Sequence, residues 1–117
     1  MMAMANHSRW MGVAVRRIHA TGGAAANRDV LQVMANVFNA DVYQFPVGNS
    51  ACLGSALRAW HADAAASSDP VPWPDVVRDL AAPLVASRVT PQEAAVATYA
   101  DLRTRYAEAE GRLRRAL

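Results

Sequence analysis

Hydrophobic side chains recur along this chain with two different periods, and the two periods predict short strands alternating with helices. Residues 15–20 and 41–46 carry β-branched and aromatic side chains and predict two strands, the second ending at Pro46. The first strand leads into a turn of small residues over 21–27 that contains two adjacent glycines. The pattern therefore predicts a strand, a tight turn and a second strand farther along the chain.

A helix is predicted between the two strands. Apolar side chains recur from Val30 to Phe38 at spacings of one, three and four residues, which is typical of a helix with a wide buried face. Asn27 or Asp29 is suited to capping its first turn, and Asn39 tolerates the left-handed conformation that often ends a helix. We therefore expect this helix to pack on the strands.

The second half of the chain predicts helices and one loop. A helix is expected over residues 50–65, a proline-rich loop over 67–74 and a short helix over 75–85. Thr90-Pro91-Gln92-Glu93 has the pattern of a capping box with proline in the first helical turn, and predicts a long final helix that runs toward Leu117. The apolar stripe of this last helix consists of Val96, Tyr99, Leu102, Tyr106, Ala109 and Leu113.

The helix over residues 50–65 carries a glycine near its start. Glycine inside a helix costs about 1 kcal/mol relative to alanine, so Gly54 predicts close contact with another backbone. The apolar face of this helix is expected to be buried and comprises Leu53, Ala56, Leu57 and Trp60.

The order of the elements predicts an α/β fold, in which helices pack on a sheet. Two short strands make a poor sheet by themselves, so the chain is expected to be part of a larger domain. The methionine-rich start, with Met1, Met2 and Met4, predicts no element boundary and favours a start inside a longer reading frame.

Composition excludes several classes of function. The 117 residues suffice for one domain, and hydrophobic residues make up 53%, which excludes a disordered tail. All 12 basic residues are arginines, so a phosphate-loop lysine and a Schiff-base lysine are excluded. A single cysteine, Cys52, excludes an internal disulfide. Because the chain also has no apolar run of membrane length and no secretion signal, we expect a cytoplasmic protein.

Three other groups of residues favour structural roles. His7, His19 and His61 are scattered and do not predict a metal site. Cys52 fits a small packed side chain better than a reactive thiol. The arginines of the last helix are interleaved with Glu108 and Glu110 and favour a solvated face, although nucleic-acid binding is a weaker alternative.

The paired glycines are the strongest candidate for chemistry. Gly22 and Gly23 lie between a strand and a helix, where a backbone without side chains lets a ligand approach. The free N–H groups at the start of the helix suit a phosphate. Taken alone, the pair fits a plain strand-to-helix turn better than a nucleotide site, because a lone Gly-Gly is a weak signal.

The wider pattern resembles the C-terminal, ATP-binding part of the FGGY carbohydrate kinases, the family of xylulokinases and glycerol kinases. In that family a strand ends in (T/D)-G-G, and small residues and an asparagine lead into a helix. The corresponding stretches here are Thr21-Gly22-Gly23-Ala24-Ala25-Ala26-Asn27 and the helix over 30–38. A second block, Gly54-Ser55-Ala56, follows at the expected distance. The resemblance covers roughly residues 7 to 117, and the two blocks together are fairly specific.

The resemblance implies a partial actin-like (ribonuclease H-like) ATPase domain, with short strands alternating with helices and a long C-terminal helix. It implies that Gly22 and Gly23 run beside the phosphates of ATP, that Thr21 and Ala24 flank the same pocket and that Asn27 lies near the adenine. Mg²⁺ would act with ATP in the full-length enzyme. The helix that contains Gly54 would pack closely behind the site.

Two departures from the family pattern bear on function. Asn49 stands where the family often has glutamate, and Ala24 replaces the third glycine of xylulokinase-like members. The family's N-terminal domain, sugar site and catalytic aspartate lie upstream of the matching segment. Residues 1–117 are therefore expected to form the C-terminal part of a kinase ATP-binding domain, inactive as an isolated chain and dependent on the missing half for the sugar.

One alternative is a non-catalytic α/β interaction module. Such a chain would pair with its missing half, or with itself through an exposed sheet edge. Self-association without affinity for nucleotide would distinguish this alternative from the kinase segment.

Overall fold

The chain forms a mixed α/β structure. The computed structural model describes residues 1–67, 71–80 and 82–116. Its helices are α1 (Met2–Trp10), α2 (Arg28–Phe38), α3 (Ser50–Ala66), α4 (Trp73–Val77) and α5 (Glu93–Ala116). Its strands are β1 (Arg17–Ala20), β2 (Asp41–Gln44) and β3 (Leu84–Val89), and a 3₁₀ turn over Gly23–Ala26 joins β1 to α2.

The three strands form one sheet in the order β1-β2-β3. β1 and β2 are parallel, with Ala20 opposite Gln44, and α2 is the crossover that parallel strands require. β3 is antiparallel to β2, with Val42 opposite Val89 and Gln44 opposite Leu84. The register between these two pairs is irregular, so the middle of β3 does not follow a regular ladder.

Helix α2 begins and ends where the sequence predicts. The side-chain Oδ1 of Asn27 accepts hydrogen bonds from the N–H groups of Asp29, at 2.9 Å, and Val30, at 3.3 Å. This satisfies two of the backbone donors that a helix start leaves without partners. At the other end, Asn39 adopts the left-handed conformation, with φ 49° and ψ 52°. The predicted caps are therefore confirmed.

The hydrophobic core lies between α2 and one face of the sheet. Its buried residues come from α2, the 3₁₀ turn and the three strands. Ile18 and Met34 pack against them. These buried residues are Ala20, Ala25, Leu31, Ala35, Val42 and Val89. Half of them are alanines, so the helix approaches the sheet closely. Each alanine side chain buries little apolar surface.

Helix α5 is held to α2 by polar side chains. The buried Asn36 accepts a hydrogen bond from the N–H of Gln92 at 2.8 Å, just before α5 begins. Farther along, Nη1 of Arg103 donates to the carbonyl of Val37 at 2.8 Å, near the end of α2. Burial, with a smaller contribution from Arg9, lowers the pKa of Arg103. Nε of the same guanidinium is buried without a hydrogen-bond partner in the described chain.

The prediction of a short helix over residues 75–85 is correct only for residues 75–77. The helix there is α4, which ends at Val77, and the chain then forms β3, a third strand that the sequence pattern did not predict. Pro83 opposes continuation of a helix, and Val85 and Val89 favour an extended chain once β2 offers a partner. The sheet therefore has three strands instead of two.

Helix α3 does not bury the apolar face that was predicted for it. None of its side chains is fully buried, and Trp60 is exposed. Space is open around Gly54, where an added Cβ would meet no atom within 4 Å, so the expected close backbone contact is absent. The contact of α3 with α4 includes the edge-to-face pair of His61 and Trp73, whose ring centroids are 5.0 Å apart.

The structure describes the start of the chain fully, and the proline-rich segment and the C-terminus only in part. Helix α1 runs from Met2 to Trp10, in a stretch for which the sequence pattern indicated no element boundary. Residues 68–70 of the predicted loop lie outside the described residues, as does Leu117. No helix in the described ranges is long and apolar enough to cross a membrane.

The molecule is more extended than a packed domain of its length. Its radius of gyration is 18.3 Å, whereas a compact chain of this size has about 13 Å. Neither α3 nor α5 contains a fully buried residue, which agrees with such an extended shape.

We expect Leu31→Ala to destabilise the chain strongly. Leu31 is 1% exposed in the centre of the core, and emptying such a site costs about 2–5 kcal/mol of unfolding free energy. Val33→Ala is the matched control, because Val33 lies on the same helix and is 36% exposed. Urea denaturation followed by circular dichroism measures both. Equal losses for the two variants would contradict the placement of the core.

Candidate functional site

The glycine turn after β1 has a backbone conformation that only glycine adopts readily. Gly22 has φ 83° and ψ −179°, in a region that is costly for residues with a Cβ. The N–H of Ala25 donates to the carbonyl of Gly22 at 3.0 Å and closes the 3₁₀ turn. A Cβ added at Gly22 or Gly23 would meet no atom within 4 Å. The turn therefore has open space beside its backbone.

A cavity of about 300 Å³ lies between this turn and the loop that follows β2. It sits at the carboxyl ends of β1 and β2, the position at which parallel sheets with helical crossovers bind ligands. The residues that line it are uncharged: Thr21, Gly22, Ala25, Ala26, Gln44, Phe45, Pro46, Val47, Gly48 and Leu84. Such a lining suits an apolar ring on one side and hydrogen bonds to backbone groups on the other.

Hydrogen bonds fix the walls of this cavity. The amide Nε2 of Gln44 donates to the carbonyl of Ala25 at 2.6 Å and ties the end of β2 to the glycine turn. The hydroxyl of Ser87, in β3, accepts the backbone N–H of Gln44 at 2.8 Å. The hydroxyl of Thr21 donates to that of Ser50, the first residue of α3, at 2.8 Å. The ends of β1 and β2 and the start of α3 therefore lie together at the glycine turn.

Sequence reasoning missed Gln44 and Ser87. The position of Gln44 at the carboxyl end of the second parallel strand is the signal that could have identified it. Ser87 carried no such signal, because β3 itself was not predicted. Its hydroxyl takes the place of a backbone acceptor where the β2–β3 ladder is irregular.

The five predicted site residues lie in one continuous segment but do not all face the cavity. Thr21 and Gly22 line it, whereas Gly23 and Ala24 belong to the 3₁₀ turn beside it. Asn27 caps α2 through its Oδ1. Asn27 therefore has a structural role at the start of α2.

A larger groove of about 820 Å³ runs between α1 and α5 and is a weaker candidate. Polar side chains in it already have partners within the chain. Arg114 pairs with Glu110 at 3.2 Å, and Nδ2 of Asn6 donates to the carbonyl of Arg103 at 3.2 Å. Among the residues that the structure describes, no parallel strand ends at this groove, so it lacks the converging backbone groups of the smaller cavity.

Charge around the smaller cavity is low. Within residues 1–67, 71–80 and 82–116, no group of three or more His, Cys, Asp or Glu side chains could hold a metal ion. A ligand in the cavity would therefore meet backbone N–H groups and the hydroxyl and amide side chains of its walls.

Comparison with known protein families shows the family to which the chain belongs. The family model of the C-terminal domain of the FGGY carbohydrate kinases matches residues 1–62, which include β1, the glycine turn, α2 and β2. The chain belongs to the FGGY family of carbohydrate kinases. The resemblance that the glycine turn and the Gly54-Ser55-Ala56 block indicated is confirmed at this level, with a segment of the xylulokinase type.

Three relatives of this FGGY segment are xylulose kinases. The xylulose kinase of Rattus norvegicus is 42% identical over 115 residues, which are 96% of this chain and 21% of the relative. That of Mus musculus is 41% identical over 115 residues, or 96% and 20%. Xylulose kinase 2 of Arabidopsis thaliana is 51% identical over 45 residues, or 38% and 8%. The chain thus spans about a fifth of the length of the two mammalian relatives.

We expect Gly22→Ala and Gly23→Ala to differ in their effect on stability, although both side chains would enter open space. Alanine at Gly22 should cost about 1–3 kcal/mol, because its φ and ψ are accessible almost only to glycine. Gly23 has no such constraint and should tolerate alanine with little change. Denaturant titration of both variants tests this. A neutral Gly22→Ala would mean that the turn adopts another conformation.

Proposed function

We propose that this chain is the C-terminal part of the ATP-binding domain of a xylulokinase-type kinase, and that it binds the nucleotide beside the glycine turn. The observation that carries the proposal is the open backbone at Gly22 and Gly23 above an uncharged cavity at the ends of two parallel strands. Membership of the FGGY family supports it independently.

The residues of the turn fit this role in different ways. The backbone of Gly22 and Gly23 would lie beside the phosphates, because no side chain keeps a ligand away from it. Thr21 and Ala24 would flank the same pocket. Asn27 uses Oδ1 to cap α2, so its amide NH₂ is the group that would donate to the adenine.

The apolar part of the cavity suits the base. Phe45, Pro46, Val47 and Leu84 provide a surface on which a planar ring can pack. Gln44 keeps this surface close to the glycine turn through its hydrogen bond to Ala25. The apolar surface and the glycine turn would therefore hold the adenine base and the phosphates at a constant separation.

ATP would supply the γ-phosphoryl group for transfer to a hydroxyl of a sugar or polyol, with Mg²⁺ in the full-length enzyme. Phosphoryl transfer depends on positioning the reactants and stabilising charge. This chain would contribute one wall of the site, in a partial actin-like (ribonuclease H-like) fold. The sugar site and the catalytic base would come from the remaining part of the kinase. The complete enzyme would act in the cytoplasm.

A second candidate function is a non-catalytic interaction module. The observation that favours it is the apolar surface of α3, none of whose residues is fully buried. A helix whose leucines are only half-buried and whose tryptophan, Trp60, is exposed is typical of a surface that another protein covers. This candidate requires no affinity for nucleotide.

The proposal predicts that Gly23→Val weakens nucleotide binding. The valine side chain would occupy the open space that the phosphates require, without the backbone strain expected at Gly22. We expect isothermal titration with Mg-ADP to give saturable binding by the unaltered chain and at least about tenfold weaker binding by the variant, equivalent to about 1.4 kcal/mol.

Gly54→Ala is the control for this experiment. Gly54 also has open space around it but lies in α3, outside both the glycine turn and the lining of the cavity, so affinity should be unchanged. A chain with native circular dichroism that shows no heat of binding would reject the nucleotide site and favour the interaction module. Equal loss in both variants would indicate a general effect of substituting glycine.

The proposal also predicts that the isolated chain has no sugar kinase activity. We expect no sugar-dependent release of ADP when the purified chain is incubated with Mg-ATP and D-xylulose. The reason is that the catalytic base and the sugar site would lie in the remaining part of the kinase. A coupled ADP assay with a complete xylulose kinase as positive control measures this. Sustained turnover, proportional to the concentration of the chain, would refute the proposed division of the active site.

A further inference from the structure

Strand β3 leaves one long edge of the sheet without a neighbour. It pairs with β2 on one side, and the described part of the chain places no strand on the other. It is the longest strand, with six residues, whereas β1 and β2 have four each. Leu84 is 45% exposed and Val85 is 77% exposed. A long, apolar open edge is a template for pairing with another strand.

The charge on β3 is already neutralised. Arg88 is its charged residue, and Nη2 of Arg88 donates to Oδ2 of Asp41 at 2.8 Å. This hydrogen bond raises the pKa of Arg88 and ties its side chain to the neighbouring strand. Charged side chains on an open edge normally discourage association, and β3 lacks that protection along Leu84–Ser87.

The opposite edge of the sheet is protected. Strand β1 is preceded by Arg16 and contains Arg17 and His19, all of them exposed. Two β1 edges brought together would place several positive side chains close to one another, which is unfavourable. The two edges of the same sheet therefore differ in their capacity for self-association.

From this difference we propose that β3 pairs antiparallel with β3 of a second copy of this chain. The segment Leu84-Val85-Ala86-Ser87-Arg88-Val89 suits such pairing. In the two-fold symmetric registers that overlap most fully, Arg88 would face Leu84 or Ala86 of the second copy and never another arginine. The remaining pairs would place no like charges opposite each other, which is the arrangement that destabilises a strand pair.

The pairing would produce a closed dimer. An antiparallel contact between identical strands uses the same surface on both copies, so each copy has no second β3 edge to offer. The outer edges of the combined sheet would be the two basic β1 strands, which resist further addition. The expected assembly is therefore a six-stranded sheet in a dimer and not a fibre.

Sedimentation velocity over a range of concentrations tests the inference, without nucleotide so that its outcome is independent of the proposed kinase role. The monomer has a mass of 12.6 kDa, and we expect a concentration-dependent species of twice that mass. Val85→Lys should weaken the dimer at least about tenfold, because each copy loses a cross-strand apolar contact and gains an edge charge. Val85→Ile should preserve it.

Leu113→Lys is the matched control, since Leu113 is 68% exposed on α5 and away from the sheet. Its dimerisation should equal that of the unaltered chain. A strictly monomeric chain would overturn the inference, as would a dimer that Val85→Lys leaves intact, or open-ended polymers. Circular dichroism of each variant ensures that a loss of dimer is not a loss of fold.

Ala86→Cys in a Cys52→Ser background provides a second readout. The thiols of two antiparallel β3 strands centred near Ala86 would come close enough to form a disulfide under mild oxidation. We expect a covalent dimer from this variant and none from Leu113→Cys in the same background. Equal cross-linking at the two positions would indicate random collision and contradict the proposed pairing.

Discussion

The packing of α2 against the sheet is the interaction on which the rest of the structure depends. This helix connects the two parallel strands, and its buried residues Leu31 and Ala35 belong to one core cluster with Ala20, Val42 and Val89 of the sheet. Because β1 and β2 are parallel, their carboxyl ends lie at one edge, and the glycine turn must lie there as well. The candidate site is thus a consequence of the crossover connection.

Small side chains make this packing close but leave little apolar surface to stabilise it. The largest fully buried side chains are Leu31, Val37 and Val42. Polar contacts supplement them at both ends of α2, where Asn27 caps the start and Arg103 binds a carbonyl near the end. A hydrogen bond to a charged group is worth about 1.5–3 kcal/mol, but the buried Nε of Arg103 lacks a partner and costs about 1–3 kcal/mol, so the two effects largely offset each other.

Local sequence rules predicted the parts of the fold whose stabilising contacts are local. The period of apolar residues located α2, and Asn27 and Asn39 marked its ends because capping depends on neighbouring residues alone. Strand β3 was missed because its stability comes from pairing with β2, which is distant in sequence. The same reason applies within the site, where Gly22 was recognised from its neighbours, whereas the hydrogen bonds of Gln44 to Ala25 and Ser87 join separate elements. The apolar residues of α3 were expected to be buried because periodicity identifies a face but not what covers it.

The irregular pairing of β3 with β2 connects the candidate site to the open edge of the sheet. Ser87 bridges the irregular stretch by accepting the N–H of Gln44, and Gln44 in turn holds the glycine turn. Leu84 belongs to β3 and also lines the cavity. Any strand that pairs with β3 would therefore reduce the freedom of one wall of the cavity, through contacts that already exist in the chain. When one binding event makes a protein more rigid, a second ligand that needs the same rigidity loses less conformational entropy on binding. The two binding events are then coupled. The edge that favours association and the turn that suits a nucleotide are consequently two parts of one hydrogen-bonded unit.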